Sequence, residues 1–150
     1  MIRKEVIDNF LASKKIAIAG ISRNPKKFGY KVFTALKEKG YELFPVNPHA
    51  DSIDGIKSYP DVNSLPADCK SLLIMTKRDH TDKLVSDAIA KGIQNLWIQQ
   101  MSETKTAIEL AKEKNVNLVY RECIFMYAEP VKGAHAFHRF MKKLFGNLPK

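Results

Sequence analysis

The chain has 150 residues, the usual length of one domain, and its 45% hydrophobic and 27% charged residues are an ordinary globular balance. No apolar run approaches the roughly 20 residues of a membrane span, which excludes an integral membrane protein, and the amphipathic N-terminus argues against a secretory signal. The two cysteines, Cys69 and Cys123, are far apart, so neither a disulfide framework nor a thiolate metal site is indicated and we expect a cytoplasmic location. The formal charge of +9 favours an anionic partner, such as nucleic acid, a phosphorylated small molecule or an acidic protein.

The N-terminal segment has apolar side chains at helical spacing, which predicts a helix over residues 2–12. The continuous apolar run at residues 15–19 has the length of a buried strand, and Gly20 ends it. Helical spacing returns at residues 29–39, and Gly40 would close this second helix as a C-cap. The chain is therefore expected to begin as helix, strand and helix.

The middle of the chain continues with a second apolar strand at residues 41–46. Residues 47–66 contain three prolines and a glycine, and they predict mostly loop with one helical turn near residues 62–65. A third strand follows at residues 71–75, where the apolar run is again continuous.

The second half of the chain repeats the alternation of strand and helix. We expect the third helix to be capped by Asp79 or Thr81 and to end at Gly92. The later elements are a fourth strand, a helix that Ser102 would cap, a fifth strand and a basic C-terminal helix, at residues 95–98, 102–114, 116–120 and 131–145.

Apolar strands separated by helices indicate a parallel sheet that is buried on both faces. Right-handed crossovers then make an α/β, doubly wound, Rossmann-like fold, for which we predict five strands in the order 3-2-1-4-5. We see no internal repeat or linker and expect a single domain over residues 1–150. Ligands of such sheets bind beyond the carboxyl ends of the strands beside strand 1, which selects residues 20–30, 47–59 and 76–79, with Gln99 next to them.

The loop after the first strand has the composition of a phosphate-binding site. Gly20 allows a sharp turn, and Gly29 allows close approach where the next helix begins, so that the first N–H groups of this helix would face an anion. Hydroxyl, amide and cationic side chains lie between the two glycines: Ser22, Arg23, Asn24, Lys26 and Lys27. The alternative interpretation is a basic solvent loop between strand and helix.

Two familiar nucleotide-binding signatures are absent from this loop. The pattern Gly-x-Gly-x-x-Gly would need glycine at position 22, where Ser22 stands, and the Gly-Lys-Ser/Thr of a Walker loop does not occur. An enzyme that prefers NAD places Asp or Glu at the end of the second strand, whereas this chain has Asn47, Pro48 and His49. The site is therefore more compatible with a ribose that carries a phosphate.

Four segments together resemble the CoA-binding domain family. They are Gly-Ile-Ser-Arg-Asn-Pro at residues 20–25, Gly29-Tyr30, Phe-Pro-Val-Asn-Pro at residues 44–48 and Gly-Ile-Lys-Ser-Tyr-Pro at residues 55–60. This family contains small stand-alone proteins similar to the nucleotide-binding domain of the succinyl-CoA synthetase alpha subunit and of ADP-forming acyl-CoA synthetases. The resemblance covers about residues 13–125 and leaves the N-terminal helix and an extension, residues 126–150, outside this core.

The resemblance implies a Rossmann-like domain that holds the 3′-phospho-ADP part of coenzyme A across the strand ends. Because the residues offer no credible catalytic constellation, we expect non-catalytic binding of coenzyme A or an acyl-CoA. The resemblance also implies that Asn47 and Pro48 flank the adenosine, that Tyr59 shapes the adenine side and that residues 76–78 close the other side. The residues that it places around the pyrophosphate are Gly20, Ser22, Arg23 and Asn24. The implied CoA-binding residues are Gly20, Ser22, Arg23, Asn24, Lys26, Gly29, Tyr30, Asn47, Pro48, Tyr59, Thr76, Lys77 and Arg78. The candidates for the phosphate charges are Lys26, Lys77 and Arg78, and which of them reaches the 3′-phosphate is left open.

The sequence leaves two other functions open. One is a NAD(P)-binding Rossmann oxidoreductase or reductase, and the other is a basic nucleic-acid or protein interaction module that uses the net charge. No catalytic constellation is evident, no metal site is predicted, and we expect Cys123 to be a buried structural thiol. We expect the C-terminal helix at residues 131–145 to pack against protein, where it could form a homo-oligomer interface.

Overall fold

Five parallel strands form the central sheet of the computed structural model, which describes residues 2–128. These mostly buried strands are β1 (Lys15–Ala19), β2 (Glu42–Val46), β5 (Ser71–Ile74), β6 (Asn95–Gln99) and β7 (Asn117–Glu122). A short antiparallel hairpin of β3 (Ser52–Ile53) and β4 (Ile56–Lys57) follows β2, within a segment that was expected to be loop. The five predicted strands are confirmed with small differences at their ends, and the predicted helical turn is a 3-10 helix, Val62–Ser64.

Within the described residues, four α-helices cover the sheet: α1 (Lys4–Ala12), α2 (Phe28–Glu38), α3 (Arg78–Lys91) and α4 (Lys105–Glu113). Apolar residues of α1 and α2 pack on one face, and those of α3 and α4 pack on the other. Trp97 of β6 is fully buried on the first face, where its ring meets that of Phe10 edge-on with 5.4 Å between centroids. This packing on both faces confirms the doubly wound, Rossmann-like fold.

The order of the strands differs from the predicted 3-2-1-4-5. β5, the third strand of the parallel sheet, pairs with β1 and not with β2, so the order is β2-β1-β5-β6-β7. Pro45 gives the physical reason, because its carbonyl points away from β1 and accepts the N–H of Tyr59. A proline has no N–H to offer a full strand on that side, which confines β2 to the edge of the sheet.

Two helix starts also differ from the predictions. α3 begins at Arg78, and the predicted cap Thr81 is buried inside the helix, where its hydroxyl donates to the carbonyl of Ser102 over 2.7 Å. The other predicted cap, Asp79, lies in the first turn of the helix. α4 is capped by Thr104, whose hydroxyl accepts a backbone N–H at 3.0 Å, and not by Ser102. The contact between Thr81 and Ser102 is tertiary, so a local sequence pattern does not reveal it.

The predicted C-terminal helix at residues 131–145 and its proposed interface lie outside the described residues. Between residues 2 and 128, no helix is long and apolar enough to cross a membrane. In the same part of the chain, no group of three His, Cys, Asp or Glu side chains could hold a metal ion.

Candidate functional site

The carboxyl ends of β1 and β5 lie side by side, and the chain leaves them toward opposite faces of the sheet. α2 follows β1 onto one face, and α3 follows β5 onto the other. Ligands of open α/β sheets bind in the crevice that forms at such a switch point. The loop after β1, the segment after β2 and the connection from β5 to α3 all meet here.

Two glycines allow these backbone segments to approach closely. Gly20 has a φ of +91°, and a Cβ atom there would lie 2.4 Å from the carbonyl carbon of Met75 and 2.6 Å from the nitrogen of Thr76. At Gly29, in the first turn of α2, a Cβ atom would lie 2.6 Å from the carbonyl oxygen of Gly20. The loop after β1 is therefore packed between the end of β5 and the start of α2, as its two glycines predicted.

Hydrogen bonds between its own residues shape this loop. The Ser22 hydroxyl accepts the N–H of Asn24 at 3.0 Å, and the side-chain oxygen of Asn24 accepts the N–H of Lys26 at 3.0 Å. These bonds use acceptors only, so the Ser22 O–H and the Asn24 amide N–H groups keep their capacity to donate. Both side chains therefore organise the loop and still offer donors to a ligand.

Positive charge surrounds the same loop. Arg23, Lys26 and Lys27 are exposed, and none of them forms an ion pair with a carboxylate of the described residues. α2 begins without a capping side chain and without an acidic residue in its first turn. No side-chain cap therefore compensates the first N–H groups of α2 or the positive end of its dipole.

Asn47 joins the loop after β1 to the segment after β2. Its amide nitrogen donates to the carbonyl of Ile21 over 2.9 Å, and its side-chain oxygen accepts the N–H of His49 over 2.7 Å. Aspartate here would keep the second bond but would replace the first with a repulsion between two oxygens. An amide at the end of β2 thus fits these two hydrogen bonds better than a carboxylate would. The next residue, Pro48, is exposed.

Tyr59 is fixed at the outer edge of β2. Its N–H donates to the carbonyl of Pro45 over 2.8 Å, and its own carbonyl accepts the N–H of Asn47 at 2.9 Å. Its ring packs against Phe44 with 6.1 Å between centroids, and the ammonium of Lys57 lies 5.1 Å from the Tyr59 ring centroid. Lys57 was not singled out from the sequence, because residues 47–66 were expected to be mostly loop, whereas Lys57 lies on β4.

The segment after β5 closes the other side of the crevice. The Thr76 hydroxyl is buried and has no hydrogen-bond partner between residues 2 and 128. Lys77 is exposed at the N-cap of α3. The Arg78 side chain turns toward the loop after β6, where its Nε donates to the carbonyl of Met101 over 3.2 Å. The structure thus brings Thr76 against Gly20, while it ties Arg78 to the far side of β5.

Three further residues singled out from the sequence have structural contacts. Tyr30 is half-buried in the first turn of α2 and packs against the core on the α1–α2 face. The side-chain oxygen of Gln99 accepts the N–H of Ile124 at 3.1 Å, which ties the end of β6 to the residues after β7. Cys123 is buried, as expected for a structural thiol, and burial also raises the pKa of the Cys69 thiol.

A family model described as "CoA binding domain" matches residues 14–129 of this chain. The fold is similar to that of a hypothetical protein from Pyrococcus horikoshii OT3, with a TM-score of 0.79 and 29% identity, and the similarity covers 87% of this chain and 92% of that one. A conserved hypothetical protein from Pyrococcus furiosus is 32% identical with a TM-score of 0.71, and the similarity covers 73% of this chain and 95% of that one.

A longer curated relative is the acetate–CoA ligase (ADP-forming) II subunit alpha of Pyrococcus furiosus, which is 26% identical over 130 residues. The similarity covers 79% of this chain and only 28% of that subunit, so this chain spans little more than a quarter of the ligase subunit. The uncharacterized protein YneT of Bacillus subtilis is 24% identical over 122 residues, which cover 81% of this chain and 90% of YneT.

Proposed function

The chain belongs to the CoA binding domain family, and from this premise we propose that it binds coenzyme A or an acyl-CoA across the carboxyl ends of β1, β2 and β5. The observation that carries the proposal is the loop after β1, which Gly20 and Gly29 hold against the neighbouring backbone at an uncapped helix N-terminus. Backbone N–H groups and a helix dipole that point to the same place stabilise a phosphate. The pyrophosphate of coenzyme A supplies that charge.

The chemistry of the crevice fits the parts of coenzyme A. The two glycines let the loop after β1 pack directly on the neighbouring backbone, and the donors of Ser22 and Asn24 lie between them in the chain. The buried Thr76 hydroxyl has no partner among the described residues, and a polar group of a ligand in the crevice would satisfy it. Each of these features supports a ligand with phosphates at the start of α2 and polar groups near β5.

The remaining assignments concern the nucleoside. We assign the adenosine to Asn47 and Pro48 and the side of the adenine to Tyr59, because these residues lie together at the end of β2. Lys26 and Lys77 remain candidates for contacts with the phosphates, since both are exposed and carry no ion pair within residues 2–128. The contact of Arg78 with Met101 makes its guanidinium a weaker candidate than the two lysines.

We assign the site to binding and not to catalysis. Both thiols of the chain are buried, and His49 and His80 are exposed without an ion pair to a carboxylate of the described residues. Covalent chemistry on a thioester needs an accessible nucleophile beside a general base. The ligase activity in the name of the longer relative belongs to a chain of which this one spans 28%.

Isothermal titration of the full chain with coenzyme A, NAD and NADP tests this function. We expect saturable binding of coenzyme A, and we expect Arg23→Glu to weaken it about tenfold or more, because a charge-assisted contact with a phosphate is lost. The melting temperature should change little, since Arg23 is exposed. Lys114→Glu, which makes the same change of charge at the end of α4, is the matched control.

Two results of these titrations would contradict the proposed function. If millimolar coenzyme A gives no saturable heat while NADP does, the chain is a nicotinamide-nucleotide protein instead. If Arg23→Glu lowers binding and melting temperature together, the loop has a structural role and the phosphate assignment is wrong.

A further inference from the structure

We propose that Met101, in the loop between β6 and α4, contacts the acyl chain of an acyl-CoA, so that the site prefers an apolar acyl-CoA over free coenzyme A. This inference rests on the proposed function and names the class of ligand, because contacts with the phosphates and the adenosine are common to coenzyme A and its thioesters. It depends on the backbone conformation of Met101, on the exposure of its side chain and on its place at the carboxyl ends of the strands.

The backbone of Met101 has a conformation that favours glycine. The N–H of Ser102 donates to the carbonyl of Gln99 over 2.9 Å, which closes a turn after β6 with Met101 as its third residue. Met101 has a φ of +79°, the value that the third residue of a type II turn takes and that glycine adopts most easily. Residues held in such costly conformations are concentrated at functional sites, where the side chain has a purpose.

The side chain of Met101 is also exposed to an unusual degree. It is 72% exposed, the largest fraction for a large apolar side chain in residues 2–128. Glycine would relieve the backbone at this position, and a polar side chain would avoid the exposed apolar surface, so folding explains neither feature. Methionine is flexible and polarisable, which suits contact with an apolar ligand of variable shape.

The register of the sheet places Met101 on the path of the acyl end of the ligand. Ala19, Ile74 and Ile98 are level with one another in β1, β5 and β6, and neighbouring strands lie about 4.8 Å apart. The adenosine is proposed at the end of β2 and the pyrophosphate at the start of α2, which follows β1. The pantetheine arm, on the other side of the pyrophosphate, therefore continues over the end of β5 toward β6. The turn that contains Met101 follows β6 directly, where the thioester end of the ligand arrives.

A second exposed apolar side chain lies at the same edge of the sheet. Phe28, which is 43% exposed, begins α2 and is followed by Gly29, which packs against Gly20 at the end of β1. The Phe28 ring meets the ring of Phe125 edge-on, with 5.7 Å between centroids. In the described part of the chain, the exposed large apolar side chains thus lie after β1 and after β6, the two strands that flank β5. Apolar surface is therefore present at the end of the crevice that an acyl chain would reach.

Hydrogen bonds hold the turn around Met101 in place. The Nε of Arg78 donates to the carbonyl of Met101 over 3.2 Å, and the buried hydroxyl of Thr81 donates to the carbonyl of Ser102 over 2.7 Å. Both contacts tie the turn to the first turn of α3, beside the end of β5. The backbone of Met101 is thus set before a ligand arrives, and its side chain alone adjusts to the acyl chain.

Titrations of the full chain with coenzyme A, acetyl-CoA and hexanoyl-CoA test this inference, because the three ligands differ only at the sulfur. We expect hexanoyl-CoA to bind about tenfold more tightly than coenzyme A, or about 1.4 kcal/mol, the gain from burying about two methylene groups. Acetyl-CoA, with a single methyl group, should bind nearly as coenzyme A does. Met101→Gly should reduce the preference for hexanoyl-CoA to less than about twofold and leave the affinity for coenzyme A unchanged, whereas Met101→Leu should retain the preference.

The matched control is Asn115→Gly. Asn115 is also exposed with a positive φ, +55°, but it lies between α4 and β7, at the amino ends of the strands. Its substitution should change the binding of none of the three ligands. Because glycine suits the backbone at position 101, the melting temperature of Met101→Gly should not fall below that of the wild-type chain, so the variant remains folded for the titrations.

The results distinguish the inference from the proposed function. A wild-type chain that binds coenzyme A and hexanoyl-CoA equally overturns the acyl preference, while CoA binding stands. A Met101→Gly variant that keeps the preference, or that weakens both ligands alike, overturns the role of Met101. A wild-type chain that binds none of the three ligands overturns the proposed function itself.

Discussion

At Gly20 the chain leaves β1 with a φ of +91° and passes against the peptide that joins Met75 to Thr76. A β-carbon there would meet backbone atoms, which cannot rotate aside as a flexible side chain can. Gly40 has nearly the same φ, +89°, but no atom lies within 4 Å of the place that its Cβ would take. Substitutions at Gly40 and Gly20 therefore distinguish two contributions to the free energy of unfolding. Both replace glycine at a positive φ, but only the substitution at Gly20 adds a steric clash.

Alanine substitution at these two glycines tests the packing of the loop. We expect Gly40→Ala to lower the free energy of unfolding by about 1 kcal/mol, the cost of a left-handed alanine. Gly20→Ala should cost about 2 kcal/mol more, because the clash adds overpacking, and it should also abolish binding of coenzyme A. Urea unfolding at neutral pH measures both variants. Equal losses at the two positions would show that the loop after β1 adjusts easily, contrary to this account.

At the scale of secondary-structure elements, β2 and the segment after it were only partly predictable from local sequence patterns. The apolar run of β2 was evident from the sequence, and so was a turn before β5. The pairing of β5 with β1 was not predicted, because the predicted strand order was a standard one that places the third parallel strand beside β2. Pro45 in β2 is the residue that indicates an edge strand instead. The β3–β4 hairpin has only two residues in each strand, too few for a periodic pattern.

The 3-10 helix between the hairpin and β5 gives a pH-dependent test. Hydrogen bonds from Ser64 lower the pKa of Asp61 below its ordinary value of 3.8, so the bonded carboxylate stabilises the fold above that pH and the stabilisation is lost as the pH falls through the lowered pKa. Ser64→Ala should lower the free energy of unfolding by less than about 1 kcal/mol at pH 7, since the group is exposed. The difference from wild type should shrink below about pH 4.

Urea unfolding at several pH values measures this difference, with Ser86→Ala on the exposed side of α3 as the control. A Ser64→Ala effect that stays constant from neutral to acid pH would mean that the hydroxyl contributes through packing and not through the Asp61 carboxylate.

For the whole molecule, the sequence was sufficient for the fold class and for the three segments that meet at the crevice. Strands that are buried on both faces are apolar along most of their length, and such continuous apolar runs are easily recognised in the sequence. The sequence was insufficient where a side chain contacts a partner that is distant in the chain, as Asn47 contacts Ile21 and Arg78 contacts Met101. These contacts depend on the packing of segments that are far apart in the chain.

The central claim is that coenzyme A binds across the carboxyl ends of β1, β2 and β5. Amide chemical-shift mapping of the isotope-labelled full chain during a titration with coenzyme A tests it most directly. We predict saturable shifts at Ser22, Asn24, Asn47 and Tyr59, and none at Gln94, whose N–H bonds to Lys70 at the amino ends of the strands. No saturable shifts, or shifts confined to the amino ends of the strands, would contradict the account.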